Sequence, residues 1–153
     1  MKNNFKDILK GKVVIVGIGN VLKGDDALGP TLVQNLQGCI NATCLDVGTA
    51  PETYAGKIVK EAPTTVLLVD AVDLSLQPGE YEILEGADIV KSGFTTHDMS
   101  PHLLIDYIQN ETNTSIFMLG IQPHHVSFGD DMSNEVMKTL TYVEQLIKEA
   151  LSA

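Results

Sequence analysis

A chain of 153 residues with 44% hydrophobic side chains can bury one substantial core, and no shift in composition divides it, so residues 1–153 read as a single domain. Twenty acidic against ten basic side chains leave a formal charge of −10, which repels polyanions and argues against a nucleic-acid partner. The longest apolar runs are strand-sized and the opening Met1-Lys-Asn-Asn-Phe-Lys-Asp7 lacks the apolar core of a signal peptide, so the expectation is a soluble, cytoplasmic protein without membrane insertion.

The chain then alternates between strand and helix. Residues 12–17 form a short β-branched run of the kind buried on both faces of a sheet. A glycine-rich turn follows, Gly17-Ile-Gly19-Asn20-Val-Leu-Lys-Gly24-Asp25-Asp26-Ala-Leu-Gly29-Pro30. Pro30 suits a first helical turn, and Leu32, Val33 and Leu36 share one face before Gly38 ends the helix. Residues 42–47 predict a second strand and residues 51–59 a short helix with Pro51 at its start. Cys39 and Cys44 have no further ligands at zinc spacing, so both are expected to be reduced, small, buried hydrophobes.

Residues 64–70 predict another buried strand ending on Asp70, and after the Gln77-Pro78-Gly79 turn residues 80–84 partly alternate, as an edge strand of antiparallel sense would. Residues 86–99 show little periodicity and read as a functional loop. Ser100-Pro101 then caps a helix with Leu103, Leu104, Tyr107 and Ile108 on one face. Residues 115–121 are a last buried strand, and Val136, Leu140, Val143, Ile147 and Leu151 stripe a C-terminal helix. Five strands and about four helices predict a three-layer α/β/α domain around a mostly parallel twisted sheet.

Chemistry concentrates where these strands end. Asp25 and Asp26 sit between strand and helix, where an open α/β sheet binds ligands, although an aspartate before a helix also caps it, and taken alone the pair reads first as capping. The Gly17-x-Gly19 pair lacks the third glycine of a dinucleotide turn, since Leu22 stands there. Asp70 ends an otherwise apolar strand, where a charge is costly unless paired, hydrogen-bonded or bound to a cation. For Asp70 and Asp73 the alternative is a loop or capping role. His97 lies in the aperiodic stretch, and two strand-end carboxylates with one imidazole form an incomplete O,O,N ligand set suited to a borderline first-row metal such as nickel or zinc. His102, His124 and His125 could reach the same edge but read first as surface residues, outside the site. No Gly-x-Ser-x-Gly elbow or His-Glu-x-x-His helix is present, so a covalent nucleophile has no support.

Five segments together carry a resemblance: Gly17-x-Gly-Asn20 with Gly24-Asp25-Asp26-x-x-Gly29-Pro30; Leu68-Val-Asp70-Ala-x-Asp73; Pro78-Gly79-Glu80; Thr95-Thr-His97-x-Met99; and Leu119-Gly-Ile-Gln122-Pro123. Over nearly the whole chain they resemble the [NiFe]-hydrogenase maturation endopeptidases, hydrogenase 3 type. The resemblance implies an endopeptidase that removes a C-terminal extension from the hydrogenase large-subunit precursor after nickel insertion. It places the metal-contacting and catalytic trio on Asp26, Asp70 and His97, with nickel carried by the substrate or another divalent metal bound in isolation. It also matches Asp46 to a family acidic position. Many family members have glycine where Ala27 stands, and a glycine needing positive φ there would leave alanine strained. Two rival readings use the same trio: a hydrolase of a small substrate around its own metal, and a non-catalytic checkpoint that senses nickel.

Overall fold

The computed structural model describes residues 4–86, 88–89 and 101–152, with the side chains of Pro101 and His102 left out of account. Its α-helices include α1 (Phe5–Ile8), α2 (Leu28–Leu36), α3 (Ala55–Lys60), α4 (Pro101–Glu111) and α5 (Asn134–Ala150), with 3-10 turns at Gly24–Ala27 and Pro51–Tyr54. The strands are β1 (Val13–Ile18), β2 (Thr43–Gly48), β3 (Thr65–Ala71), β4 (Tyr81–Glu85) and β5 (Ser115–Ile121).

One five-stranded sheet runs in the order β2-β1-β3-β5-β4. β1, β2, β3 and β5 are parallel, and β4 pairs antiparallel with β5, Tyr81 opposite Ile121. The antiparallel edge is therefore as expected. Continuous apolar runs need cover on both faces, and two separate cores provide it. On one face α1, α2 and α5 pack Phe5, Leu32, Leu36, Val136 and Val143 against Ile15, Leu67 and Leu119. On the other, α3 and α4 pack Ile58, Leu104 and Ile108 against Val16, Leu68 and Met118. The three layers and mostly parallel sheet follow from that burial.

Three details depart from the sequence reading. The buried stripe of α4 is Leu104, Ile105 and Ile108, whereas Leu103 is 64% and Tyr107 45% exposed; the apolar spacing fits either of two adjacent faces, and packing against α3 selects one. Cys39 is exposed because it sits in the turn after α2, while Cys44 is buried in β2. α1 has only four residues, too few to show a helical period, and is started by the Asn4 side chain, which accepts from the Asp7 N–H at 3.1 Å.

The strand order fixes where a site can form. The chain passes from β1 to β2 on one side and then returns to β3 on the other, so the β1/β3 boundary is the topological switch point of the sheet. The crevice outside the carboxyl ends of those two strands is the favoured ligand position.

Candidate active site at the carboxyl edge of β1 and β3

β1 ends at Ile18, and the chain folds straight back over the strand ends. Gly19 has φ +151°, and a Cβ there would overlap the carbonyl oxygen of Asp26. A Cβ on Gly29 would meet the carbonyl oxygens of Ile18 and Val69. These two glycines let the 3-10 turn and the start of α2 sit directly on the ends of β1 and β3. The turn carries Asp25 and Asp26, and it packs against β3.

The structure separates the two aspartates. Neither caps α2, whose N-cap position is Ala27 with no side-chain bond. Asp26 is 4% exposed; its Oδ2 accepts the Asn20 N–H at 2.9 Å, and its buried Oδ1 has no hydrogen-bond partner among the described residues. An orphaned carboxylate oxygen inside a protein costs free energy, which points to a group supplied from elsewhere. Asn20 completes the turn by accepting the Leu22 N–H at 2.9 Å.

Asp25 is fully buried and fully satisfied. Its carboxylate accepts from the N–H groups of His124, His125 and Ser133 and from the Ser133 hydroxyl, at 2.7 to 3.1 Å. Burial pushes its carboxyl pKa up, but these four bonds outweigh burial and leave it below the ordinary carboxylate value.

Asp70 is fully buried in β3, opposite Gly120 of β5, and its Oδ1 accepts the Ala71 N–H at 2.8 Å. Asp26, in the turn that follows β1, and Asp70, near the end of the adjacent parallel strand β3, thus lie at the same sheet edge. His97 lies outside the described residues. Among the described residues no group of three His, Cys, Asp or Glu side chains is placed to hold a metal ion, so the described part of the expected trio is the carboxylate pair.

The remaining expectations resolve individually. Ala27 has φ −75°, so the residue at the family's glycine position carries no strain. Asp73 is an exposed loop residue whose Oδ1 accepts the Ser75 N–H at 3.1 Å. Asp46 is exposed; it accepts from Gln34 and from the Gly48 N–H, both at 3.1 Å. The Gly-Ile-Gln-Pro segment has a mechanical role, since Gln122 Oε1 accepts the Leu74 N–H at 2.6 Å and the Leu76 N–H at 3.3 Å, fastening the loop after Asp70 to the end of β5.

His124 and His125 are exposed, as expected of surface residues, and their backbone N–H groups meet the Asp25 turn. No local pattern marks them. Only the pairing of β3 with β5 brings the loop that follows β5 to this edge.

Fold and site define an α/β domain with buried carboxylates at its switch point, and comparison with known proteins shows its family. The hydrogenase maturation protease family matches residues 28–152. The hydrogenase 3 maturation protease of Escherichia coli K12 is 36% identical over 138 residues, covering 88% of each chain. The crystal structure of a [NiFe] hydrogenase maturation protease HycI from Thermococcus kodakarensis superposes with a TM-score of 0.87 at 29% identity, over 95% of this chain and 97% of the other. The solution structure of an endopeptidase HycI from Escherichia coli gives a TM-score of 0.82 at 33% identity, over 91% and 90%.

The chain belongs to the hydrogenase maturation protease family. It is an endopeptidase of hydrogenase maturation.

Proposed function

We propose that this endopeptidase cuts the C-terminal extension from a [NiFe]-hydrogenase large-subunit precursor once nickel is in place, and that Asp26, Asp70 and His97 contact that nickel. The observation that carries this reading is the Asp26 Oδ1, buried without a partner among the described residues at the switch point beside the Asp70 strand end. Two carboxylates and an imidazole suit a borderline divalent ion. Three protein donors also leave coordination positions for ligands the substrate brings.

The ion is then part of what is recognised: only a loaded precursor completes the site. Hydrolysis adds water across the scissile C–N bond, leaving a carboxylate on the mature subunit and a free amine on the released peptide. A site that reads nickel in the precursor belongs in the cytoplasm, where assembly would precede cutting. No described helix is long and apolar enough to cross a membrane.

Metal analysis of the purified, dialysed protein separates this reading from a small-molecule hydrolase with a resident metal. Substoichiometric metal is expected, and a stoichiometric ion that survives dialysis would favour the rival. Incubation with nickel-loaded precursor should shorten its intact mass by a single C-terminal peptide. An unchanged mass would leave a checkpoint role in place of cutting.

A further inference from the structure

We propose that Asp25 is a positioning residue for Asp26: its buried carboxylate ties the Gly24–Ala27 turn to the loop 122–133 and so sets where the adjacent Asp26 carboxylate points. The inference rests on the reading of Asp26 as a nickel-contacting group.

The turn is tied in both directions. Asp25 donates its own N–H to the His125 carbonyl at 2.7 Å, while its Oδ2 accepts from His124 N–H at 2.7 Å, His125 N–H at 3.1 Å and Ser133 Oγ at 2.9 Å, and its Oδ1 accepts from Ser133 N–H at 2.7 Å. The anchor is firm, because Ser133 also caps α5, accepting the Val136 N–H. That 17-residue helix buries Val136, Leu140, Val143 and Ile147, so through Ser133 the turn is fixed to the core as well as to the loop.

Asp26 has much less holding it. Its side chain takes one hydrogen bond, from Asn20 N–H, and its other oxygen has no partner among the described residues. With about three residues per 3-10 turn, consecutive side chains point roughly 120° apart. Clamping Asp25 toward α5 therefore dictates the direction of Asp26. A carboxylate that must keep an oxygen open for an incoming ligand cannot be oriented by bonds to that oxygen, and a neighbour can supply the orientation instead.

The test uses the full chain with Asp25→Asn and Ser133→Ala, and Val143→Ala as a core change of α5 away from the turn. Two readouts are taken: amide hydrogen exchange at Asn20, whose N–H reports the Asp26 contact, and kcat and KM for cutting nickel-loaded precursor, corrected for folded fraction. In Asp25→Asn, Asn20 exchange is expected to rise at least tenfold relative to Leu68, with kcat down at least tenfold and KM within threefold. Ser133→Ala should move both readouts the same way by two- to fivefold, and it decides the matter if Asp25→Asn does not fold. Val143→Ala should leave both at wild-type values. If Asp25→Asn and Ser133→Ala match Val143→Ala, Asp25 is only a structural clamp and the proposal is overturned. Wild-type cutting by Asp26→Asn would instead overturn the site reading beneath it, so the two failures are distinguishable.

Discussion

Replacing Asp26 by asparagine should raise stability while abolishing cleavage. Asparagine is isosteric and can keep its carbonyl toward the Asn20 N–H, which now donates to Oδ2 at 2.9 Å. What is lost is the charge assistance of that bond, worth about 0.5 to 1.5 kcal/mol. What is relieved is the charge on a nearly buried carboxylate whose Oδ1 has no partner among the described residues; the amide N–H₂ that takes its place is equally unpartnered but neutral and costs less, which leaves a relief of about 1 to 3 kcal/mol. The difference favours the variant by about 1 kcal/mol, or about 2 to 4 °C in Tm for a chain of this size. Differential scanning calorimetry of the metal-free proteins reads it directly. A Tm lowered by 3 °C or more would refute the reasoning, because it would mean that the carboxylate is held for stability and its second oxygen is satisfied.

The adjacent aspartate should behave oppositely. Asp25→Asn sets an amide N–H₂ against donors at one oxygen position and weakens the rest, so chemical denaturation should show a loss of about 2 to 4 kcal/mol. Because the Asp25 pKa is depressed in the folded protein, its contribution is complete above the unfolded carboxylate value of about 3.9 and is lost as pH falls through the lower folded value. Urea midpoints measured from pH 5 down to 2.5 should therefore fall more steeply for wild type than for Asp25→Asn, and parallel curves would contradict this. Gly19→Ala should cost about 3 kcal/mol or prevent folding, since a Cβ has no room beside the Asp26 carbonyl; a urea midpoint within 0.2 M of wild type (about 0.4 kcal/mol at a typical slope) would show that the turn relaxes. Gln122→Ala removes the acceptor for two loop N–H groups and should lower stability by about 1 to 3 kcal/mol, with exchange at Leu74 and Leu76 rising; unchanged exchange would mean that the loop is held by other contacts.

Much of this architecture was legible because buried parallel strands write themselves as unbroken apolar runs. The expected bounds of β5 coincide with the observed Ser115–Ile121, and those of the other strands differ by about a residue. Asp70 was found by the same signal in reverse, as the charge that interrupts such a run. Other features depend on partners far along the chain. Whether Asp25 capped a helix or clamped a loop was decided by Ser133, 108 residues away, which no local window contains. The exposure of Leu103 and Tyr107 depends on which face of α4 meets α3, and apolar spacing does not distinguish the two. Asp26 stood out only as one of a pair, and it was geometry that showed one member saturated with hydrogen bonds and the other with an oxygen that has no partner among the described residues.

The most direct test of the central claim compares two preparations of one large-subunit precursor, nickel-loaded and nickel-free, each incubated with the wild-type protein and with Asp26→Asn and followed by intact-mass spectrometry. The expected result is loss of one C-terminal peptide from the loaded precursor with wild type alone, and no change in the other three reactions. Equal cleavage of the nickel-free precursor, or cleavage by Asp26→Asn at the wild-type rate, would contradict the account.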